Sequence, residues 1–353
     1  MKLTLLPLPL TKRFPLTISR GTAAGSDNLL VAVEHDGVTG YGEFSPVSQT
    51  TSPETAATAE AQLTGLAVGL EPLAPWEMQR VESLADDAGV GRAALCGLDL
   101  ALHDWTGKRL GVPAYRLVGA DLARVVPTSV TVGINPPEVV RERVAELAAR
   151  LSPRSLKIKL GSPEGIEYDK AILAAVKETA PEGVALRVDA NGGWPDVATA
   201  DRMIRWLAGR GVEYVEQPLA RGREAEMGDL FPRRVLPIFA DESCRIASDV
   251  PGLADRVDGV NLKLMKAGGI REGLRLIHAA RAHGLKVMMG CMSESPLAIA
   301  GSAAISSFAD YLDLDSHLNI IDAPFGGLLW SEGRVLPPPD APGLGVARES
   351  EVR

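Results

Sequence analysis

The feature that most constrains the fold is a regular alternation of short apolar segments and amphipathic segments after Val125. Intervals of this length join parallel strands and place helices over the sheet. Eight such units within roughly two hundred residues predict an α/β fold, a (β/α)7β-type TIM barrel. A doubly wound sheet is the alternative, but no G-x-G-x-x-G turn follows the first strand. The eight strand candidates are VPTSVTVGI, SLKIKL, ALRVDA, VEYVEQP, PIFADES, GVNLKLMK, KVMMGCM and YLDLD.

The N-terminal part of the chain has a different pattern, with strands first and helices afterwards. Leu29–Val33 and Gly40–Phe44 read as a β-hairpin around Asp36-Gly37, and helical periodicity follows as far as Leu117. Such an order is typical of a small α+β unit. We therefore predict an α+β capping domain at 1–120, the barrel at 121–320, and a Gly- and Pro-rich tail, 321–353, that folds back onto the cap.

Composition excludes several classes of partner. The 353 residues carry a net charge of −8, which argues against binding to nucleic acid or to an anionic membrane surface. No apolar run is long enough to span a bilayer. The three cysteines, Cys96, Cys244 and Cys291, are scattered without metal-ligand spacing, as is usual in a reducing compartment. We expect a cytoplasmic protein.

Three acidic residues end consecutive strand candidates: Asp189, Glu216 and Asp241. The carboxyl ends of barrel strands meet at one face, so these side chains should lie together. Three carboxylates without a counter-charge cannot all stay ionised, and a divalent cation resolves the conflict. Oxygen ligands favour Mg²⁺, with Mn²⁺ as a substitute. Alternatively, each acid caps a helix or pairs with an arginine.

Lysines accompany these acids. Lys157 and Lys159 share one face of the second strand because side chains two residues apart point the same way. They are either solvated or part of a basic site in which one lysine, its pKa lowered by its neighbour, acts as a base. Lys263, on the sixth strand, would lie across the barrel. Two bases beside a metal suit proton abstraction next to a carboxylate, since the metal stabilises the developing charge.

In this order and spacing, GYGEFSPV, KIK, DAN, EQP, DES, NLKLMKAGG and MSES resemble the muconate-lactonizing-enzyme subgroup of the enolase superfamily. The resemblance implies that Lys159 and Lys263 are the acid/base groups and that Lys157 tunes Lys159 and binds the substrate carboxylate. It also implies that Asp189, Glu216 and Asp241 bind the metal, with Asn191 and Glu242 nearby. Thr131 and Met292 are candidate pocket walls, and Glu294 has a supporting role. By analogy with this family we expect a homo-oligomer.

Residues of the eighth strand help to distinguish which of the subgroup's reactions a sequence catalyses. Asp313 and Asp315 are two residues apart, and their spacing resembles the dipeptide epimerases, where such a pair holds the substrate's free ammonium. Arg20 matches the position where L-Ala-D/L-Glu epimerases place an arginine for the glutamate side chain. We therefore expect a dipeptide substrate. Asp313 or Asp315 could instead cap a turn, and Arg20 could be a surface residue.

Other activities stay open at this point. An N-acylamino acid racemase or o-succinylbenzoate synthase of the same subgroup is the main alternative, although neither substrate offers an ammonium to the two acids. A sugar-acid dehydratase of this fold usually places a histidine on the seventh strand, and KVMMGCMSES contains none. A non-catalytic binding protein would not need the two lysines.

Overall fold

A computed structural model describes residues 1–48 and 53–348. The N-terminal region forms a three-stranded antiparallel sheet covered by helices. The predicted hairpin is confirmed: its turn residues Asp36 and Gly37 both have positive φ, 47° and 72°, as the twist of a tight hairpin requires. The elements are β1 (Lys2–Ile18), β2 (Gly21–His35), β3 (Val38–Phe44), α1 (Ala56–Leu70), α2 (Met78–Asp87), α3 (Arg92–Leu110) and α4 (Ala114–Leu117).

The β1–β2 hairpin is bent over the barrel by an irregularity in β1. The register shifts between Thr11 and Leu16, so residues 12–15 lie opposite Ala24 alone. Such a bulge bends a strand. Within it, Phe14 N donates to Asn319 Oδ1 at 3.0 Å and Asn319 Nδ2 donates to Phe14 O at 2.8 Å. The hairpin is therefore bound to the chain that follows the last barrel strand.

The predicted barrel is confirmed. Its eight parallel strands follow one another in chain order, and a parallel bridge between Thr128 and Leu312 joins the last strand to the first. The strands are β4 (Ser129–Val132), β5 (Ser155–Lys159), β6 (Ala185–Asp189), β7 (Val212–Glu216), β8 (Ile238–Ala240), β9 (Gly259–Leu262), β10 (Lys286–Gly290) and β11 (Tyr311–Asp313).

Helices connect these strands on the outside of the barrel. They are α5 (Pro137–Leu151), α6 (Ile166–Thr179), α7 (Val197–Ala208), α8 (Glu224–Leu230), α9 (Leu264–Ala267), α10 (Ile270–Ala282) and α11 (Pro296–Ile305). The connection from β8 to β9 contains a 3₁₀ helix, Ala247–Gly252, in place of an α-helix. Further 3₁₀ turns are Leu122–Arg124, Phe231–Arg233, Ser306–Phe308 and Ser316–Asn319.

The amino-terminal end of the barrel is filled by side chains. Tyr214, Phe239 and Met288 are fully buried there, and Tyr311 packs against them. The ring centroids of the three aromatic residues lie 4.8 to 5.5 Å apart. Because this end is plugged, a ligand can enter only from the carboxyl ends of the strands, where the hairpin lies.

The tail contacts both parts of the molecule. It contains β12 (Phe325–Gly326), β13 (Leu329–Ser331), β14 (Arg334–Leu336) and β15 (Ala347–Arg348). Ala114 N donates to Gly343 O at 2.7 Å in the cap, and Thr128 N donates to Gly333 O at 2.8 Å beside the barrel. The boundaries at 120 and 320 stay a prediction. Within the described residues, no helix is both long enough and apolar enough to cross a membrane.

Candidate active site

Three carboxylates meet at the carboxyl ends of neighbouring barrel strands. Asp189 and Glu216 are the last residues of β6 and β7, and Asp241 directly follows β8. All three are fully buried, and one oxygen of each lies within 4.8 Å of the others. The three acids that end consecutive strands in the sequence therefore form one cluster in space.

Buried lysines neutralise this cluster. Lys159 Nζ lies 2.6 Å from Asp189 Oδ2, and Lys263 Nζ lies 2.8 Å from Asp241 Oδ2. Lys159 on β5 and Lys263, next to β9, are four strands apart and thus on opposite sides of the barrel. Gly290 leaves room for the second lysine, since a Cβ at Gly290 would lie 3.1 Å from Lys263 Cε.

Lys157 has three carboxylate partners. Its Nζ lies 2.7 Å from Glu216 Oε2, 2.7 Å from Asp313 Oδ2 and 3.3 Å from Asp189 Oδ2. Burial by itself would lower the pKa of Lys157, but the charges of these carboxylates outweigh burial and raise it well above its usual value. Asp189 lies between the ammonium groups of Lys157 and Lys159, so a shared carboxylate offsets their repulsion. Lys157 is therefore a fixed ammonium, inaccessible to solvent.

The three carboxylates differ in pKa. Burial acts against ionisation of Asp241, but Lys263 and Lys266 overcome burial and hold its pKa well below the usual value. Burial and the charge of Asp189 raise the pKa of Glu216. Glu216 Oε2 is buried and, despite its ion pair with Lys157, has no hydrogen bond. A buried, oxygen-only donor set in which one oxygen lacks a hydrogen bond fits a hard divalent cation such as Mg²⁺.

Other side chains support the triad, and two of them, Asn261 and Lys266, were not among the predicted residues. Asn261 Nδ2 donates to Glu216 Oε1 at 2.7 Å, and Lys266 Nζ lies 2.5 Å from Asp241 Oδ1. Asn191 donates to Asp189 from its backbone N at 2.8 Å and from its side chain at 3.1 Å. Asn261 could have been found, because it shares a strand face with Lys263.

A cavity of about 1690 Å³ lies above the triad, between the barrel and the hairpin. Lys159 and Lys263 both line it, as do the predicted residues Thr131 and Met292. Phe14, Leu16, Ile18 and Leu318 add an apolar surface. Two predicted residues lie behind the cavity wall. Lys157, expected to bind the substrate carboxylate, is fully buried, and Glu294, expected to have a supporting role, is buried and accepts Met292 N at 2.8 Å. Burial raises the pKa of Glu294 to about 8.

The two acids predicted on the eighth strand both line the cavity, but they do not lie two residues apart on one strand. β11 ends at Asp313, and Asp315 has helical backbone angles, φ −108° and ψ −5°. Asp313, expected to bind the substrate's ammonium, is already paired with Lys157. Asp315 Oδ2 accepts Thr131 N at 2.6 Å. Burial, with a contribution from Asp313, raises the pKa of Asp315 to about 6.

Arg20 lies at the tip of the hairpin and is already engaged. Its Nη1 is 2.9 Å from Glu242 Oε1 and donates to Asn191 O at 2.6 Å. Ser19 Oγ donates to the same carbonyl at 3.0 Å. Lys12, the other hairpin cation in the cavity wall, donates to Ala23 O at 3.4 Å, and burial lowers its pKa. Arg20 thus links the hairpin to the barrel while also lining the cavity, and its contact with a glutamate side chain stays a prediction.

Family profiles match almost the whole chain. The profile described as "Mandelate racemase / muconate lactonizing enzyme, N-terminal domain" matches residues 2–119. The profile described as "Enolase C-terminal domain-like" matches residues 139–352. The chain therefore belongs to the mandelate racemase/muconate lactonizing enzyme family, within the enolase superfamily, and the expected family is confirmed.

Three similar proteins narrow the comparison. The hydrophobic dipeptide epimerase of Roseobacter litoralis is 52% identical over 95% of this chain and 96% of its own length. The L-Ala-D/L-Glu epimerase of Bacteroides thetaiotaomicron is 34% identical over 99% of this chain and 88% of its own. The crystal structure of the dipeptide epimerase from Enterococcus faecalis with Mg and L-Leu-L-Tyr has a TM-score of 0.91. It is 30% identical and covers 98% of this chain and 99% of that one.

Proposed function

We propose that this protein is a dipeptide epimerase, an isomerase that inverts the α-carbon of the C-terminal residue of a dipeptide by 1,1-proton transfer. The observation that carries the proposal is the pair Lys159 and Lys263. They line one cavity from opposite sides of the barrel, and each is paired with a carboxylate of the same triad. A racemising site needs this arrangement, because one group must reach each face of the substrate carbon.

The residues that would hold Mg²⁺, or Mn²⁺ in its place, are Asp189, Glu216 and Asp241. When bound, the cation supplies positive charge to the substrate carboxylate and so increases the acidity of the neighbouring C–H bond. The Mg-bound dipeptide complex of the Enterococcus faecalis enzyme supports this assignment.

The two lysines move the protons. For one diastereomer, the uncharged amine of one lysine removes the α-proton, and the electron pair of the C–H bond shifts toward the carboxyl group. The ammonium of the other lysine then donates a proton to the opposite face, which inverts the carbon. The opposite diastereomer reacts through the same two groups with their roles exchanged, so each turnover leaves the protein with one proton moved between the lysines.

The substrate's free ammonium binds at Asp315 and Asp313. Both acids line the cavity, and Thr131 N holds the Asp315 carboxylate in place. Because Lys157 already neutralises part of the charge at Asp313, Asp315 supplies most of the attraction. An N-acyl amino acid has no charge to meet this carboxylate, which disfavours the N-acylamino acid racemase and o-succinylbenzoate synthase alternatives.

The favoured C-terminal residue is apolar. Phe14, Leu16 and Ile18 on the hairpin and Met292 on the barrel add apolar surface to the cavity that the two lysines line, and burial of such surface contributes about 25 cal/mol per Å². The hydrophobic dipeptide epimerase at 52% identity supports this choice. An L-Ala-D/L-Glu activity is the second candidate, supported by the 34% relative. The proposal includes a cytoplasmic location, supported by free Cys96, Cys244 and Cys291, and a homo-oligomer.

The test is a dipeptide library incubated with Mg²⁺ in deuterated water and read by mass gain and chiral chromatography. It should include L-Ala-L-Leu, L-Ala-L-Glu and N-propionyl-L-leucine, which is L-Ala-L-Leu without its amine. We expect deuterium incorporation and inversion in free dipeptides, with L-Ala-L-Leu ahead of L-Ala-L-Glu. Faster turnover of N-propionyl-L-leucine than of L-Ala-L-Leu would identify an N-acylamino acid racemase instead.

A further inference from the structure

Lys266 is a buried lysine that the proposed proton transfer does not use. It lies on α9, three residues after Lys263, and is 1% exposed. Its Nζ lies within hydrogen-bond distance of four oxygens: Asp241 Oδ1 at 2.5 Å, Asp241 O at 2.6 Å, Cys244 O at 3.0 Å and Asn261 O at 3.1 Å. Lys266 therefore ties the loop after β8 to strand β9.

This link reaches two of the three carboxylates. Lys266 contacts Asp241 directly, and the backbone carbonyl that it binds belongs to Asn261, whose side chain donates to Glu216 Oε1 at 2.7 Å. Each of these carboxylates thus has one oxygen engaged on its outer side. Its other oxygen, Oδ2 of Asp241 or Oε2 of Glu216, faces the lysines inside the barrel.

We propose that Lys266 is a positioning residue for the metal site, keeping Oδ1 of Asp241 occupied so that only Oδ2 is presented to the cation. It also fixes the separation between Asp241 and Glu216 through Asn261. This inference rests on the metal triad of the proposed function, but it is independent of the substrate.

If Lys266 acts only through its charge, or if it positions Asp241, its removal should change the metal affinity in opposite directions. An ammonium next to a metal ligand repels a divalent cation, so on charge alone its loss would tighten metal binding. If Lys266 positions Asp241, its loss frees the carboxylate to rotate and leaves three buried carbonyls with one donor fewer, so metal binding weakens. Residues that orient metal ligands typically contribute about 10- to 100-fold to metal affinity.

The experiment titrates the metal-free full-length protein with Mn²⁺ and follows free Mn²⁺ by electron paramagnetic resonance, without substrate. We expect Lys266→Met to raise the Kd for Mn²⁺ by about tenfold or more. Lys108→Met is the matched control. Lys108 also pairs with a carboxylate, Asp104 at 2.7 Å, and donates to a carbonyl, Thr39 O at 3.1 Å, but it lies in the cap. Its Kd should equal that of the parent.

An unchanged or lower Kd in folded Lys266→Met overturns the proposal. If circular dichroism shows that Lys266→Met does not fold, Lys266→Gln replaces it, because its polar side chain is one bond shorter and its two N–H donors cannot bind all four oxygens. A raised Kd for Lys266→Gln then supports positioning, and a lowered or unchanged Kd contradicts it. If neither variant folds, or if Lys108→Met weakens Mn²⁺ binding equally, Lys266 stabilises the fold only and the proposal fails. If the parent protein binds Mn²⁺ but does not turn over any dipeptide, the proposed reaction is refuted and this inference is not.

Discussion

Replacing Asp315 by Asn removes one negative charge from the cavity while keeping an oxygen that can accept the Thr131 N–H, now 2.6 Å away. The side chain retains its size, so the change isolates the charge. A hydrogen bond between a carboxylate and an ammonium contributes about 1.5–3 kcal/mol, which corresponds to roughly ten- to one-hundred-fold. We therefore expect kcat/KM for L-Ala-L-Leu to fall by about that factor.

The pH dependence of kcat/KM is a second test of the same variant. The pKa of Asp315 is raised to about 6, so the parent loses this carboxylate as the pH falls through that value. Its kcat/KM should decline on the acid side, and the Asp315→Asn variant should lack the part of the decline that Asp315 causes. Epimerisation is followed by chiral chromatography across the pH range.

N-propionyl-L-leucine and Asp322→Asn are the controls. N-propionyl-L-leucine has no ammonium, so Asp315→Asn should not lower its slower turnover. Asp322 also accepts a backbone N–H, from Thr11 at 2.8 Å, but it does not line the cavity, and its variant should match the parent. An equal loss on both substrates would refute an ammonium-binding role for Asp315.

Three further predictions follow from other contacts. A chelator should abolish turnover and Mg²⁺ or Mn²⁺ should restore it, while Asp189→Asn should remain inactive with either metal although circular dichroism shows an intact fold; full activity in chelator would contradict a metal site. Arg20→Ala should lower kcat/KM for L-Ala-L-Leu and L-Ala-L-Glu by similar factors, because Arg20 is already paired with Glu242; a loss confined to L-Ala-L-Glu would instead support its role as a glutamate ligand. The pKa of Glu294 is raised from 4.5 to about 8, so the folded state binds its proton more tightly than the unfolded state. The free energy of unfolding should therefore fall as the pH rises from 4.5 to about 8. Glu294→Gln should reduce that fall in urea titrations, and an unchanged slope would contradict the buried carboxyl.

The barrel and its triad could be predicted because both depend on local periodicity. Strands of period two alternate with helices along the chain, and the carboxyl ends of parallel strands meet at one face, so Asp189, Glu216 and Asp241 converge whatever the detailed packing. The same alternation correctly puts Lys157 and Lys159 on one face. It does not show which oxygens those lysines contact.

The remaining contacts join residues that are distant in sequence or lie outside regular strands. Asp313 and Lys157 are paired across 156 residues, so the sequence did not reveal that this acid already has a cation beside it. Arg20 is bound to Glu242 because β1 bends over the barrel, and a bulge of this kind has no simple sequence pattern. Lys266 was missed because the short helix α9 returns it beneath Asp241, where strand alternation does not apply.

The measurement that tests the central claim most directly is α-proton exchange in deuterated water by Lys159→Ala and Lys263→Ala, each supplied separately with L-Ala-L-Leu and L-Ala-D-Leu. Because each variant retains a lysine on one face only, neither should epimerise the substrate. Each should still exchange the α-proton of one diastereomer, and the diastereomer should differ between the two variants. If both variants exchanged both diastereomers equally, or if either one epimerised at the parental rate, the two lysines would not be the bases.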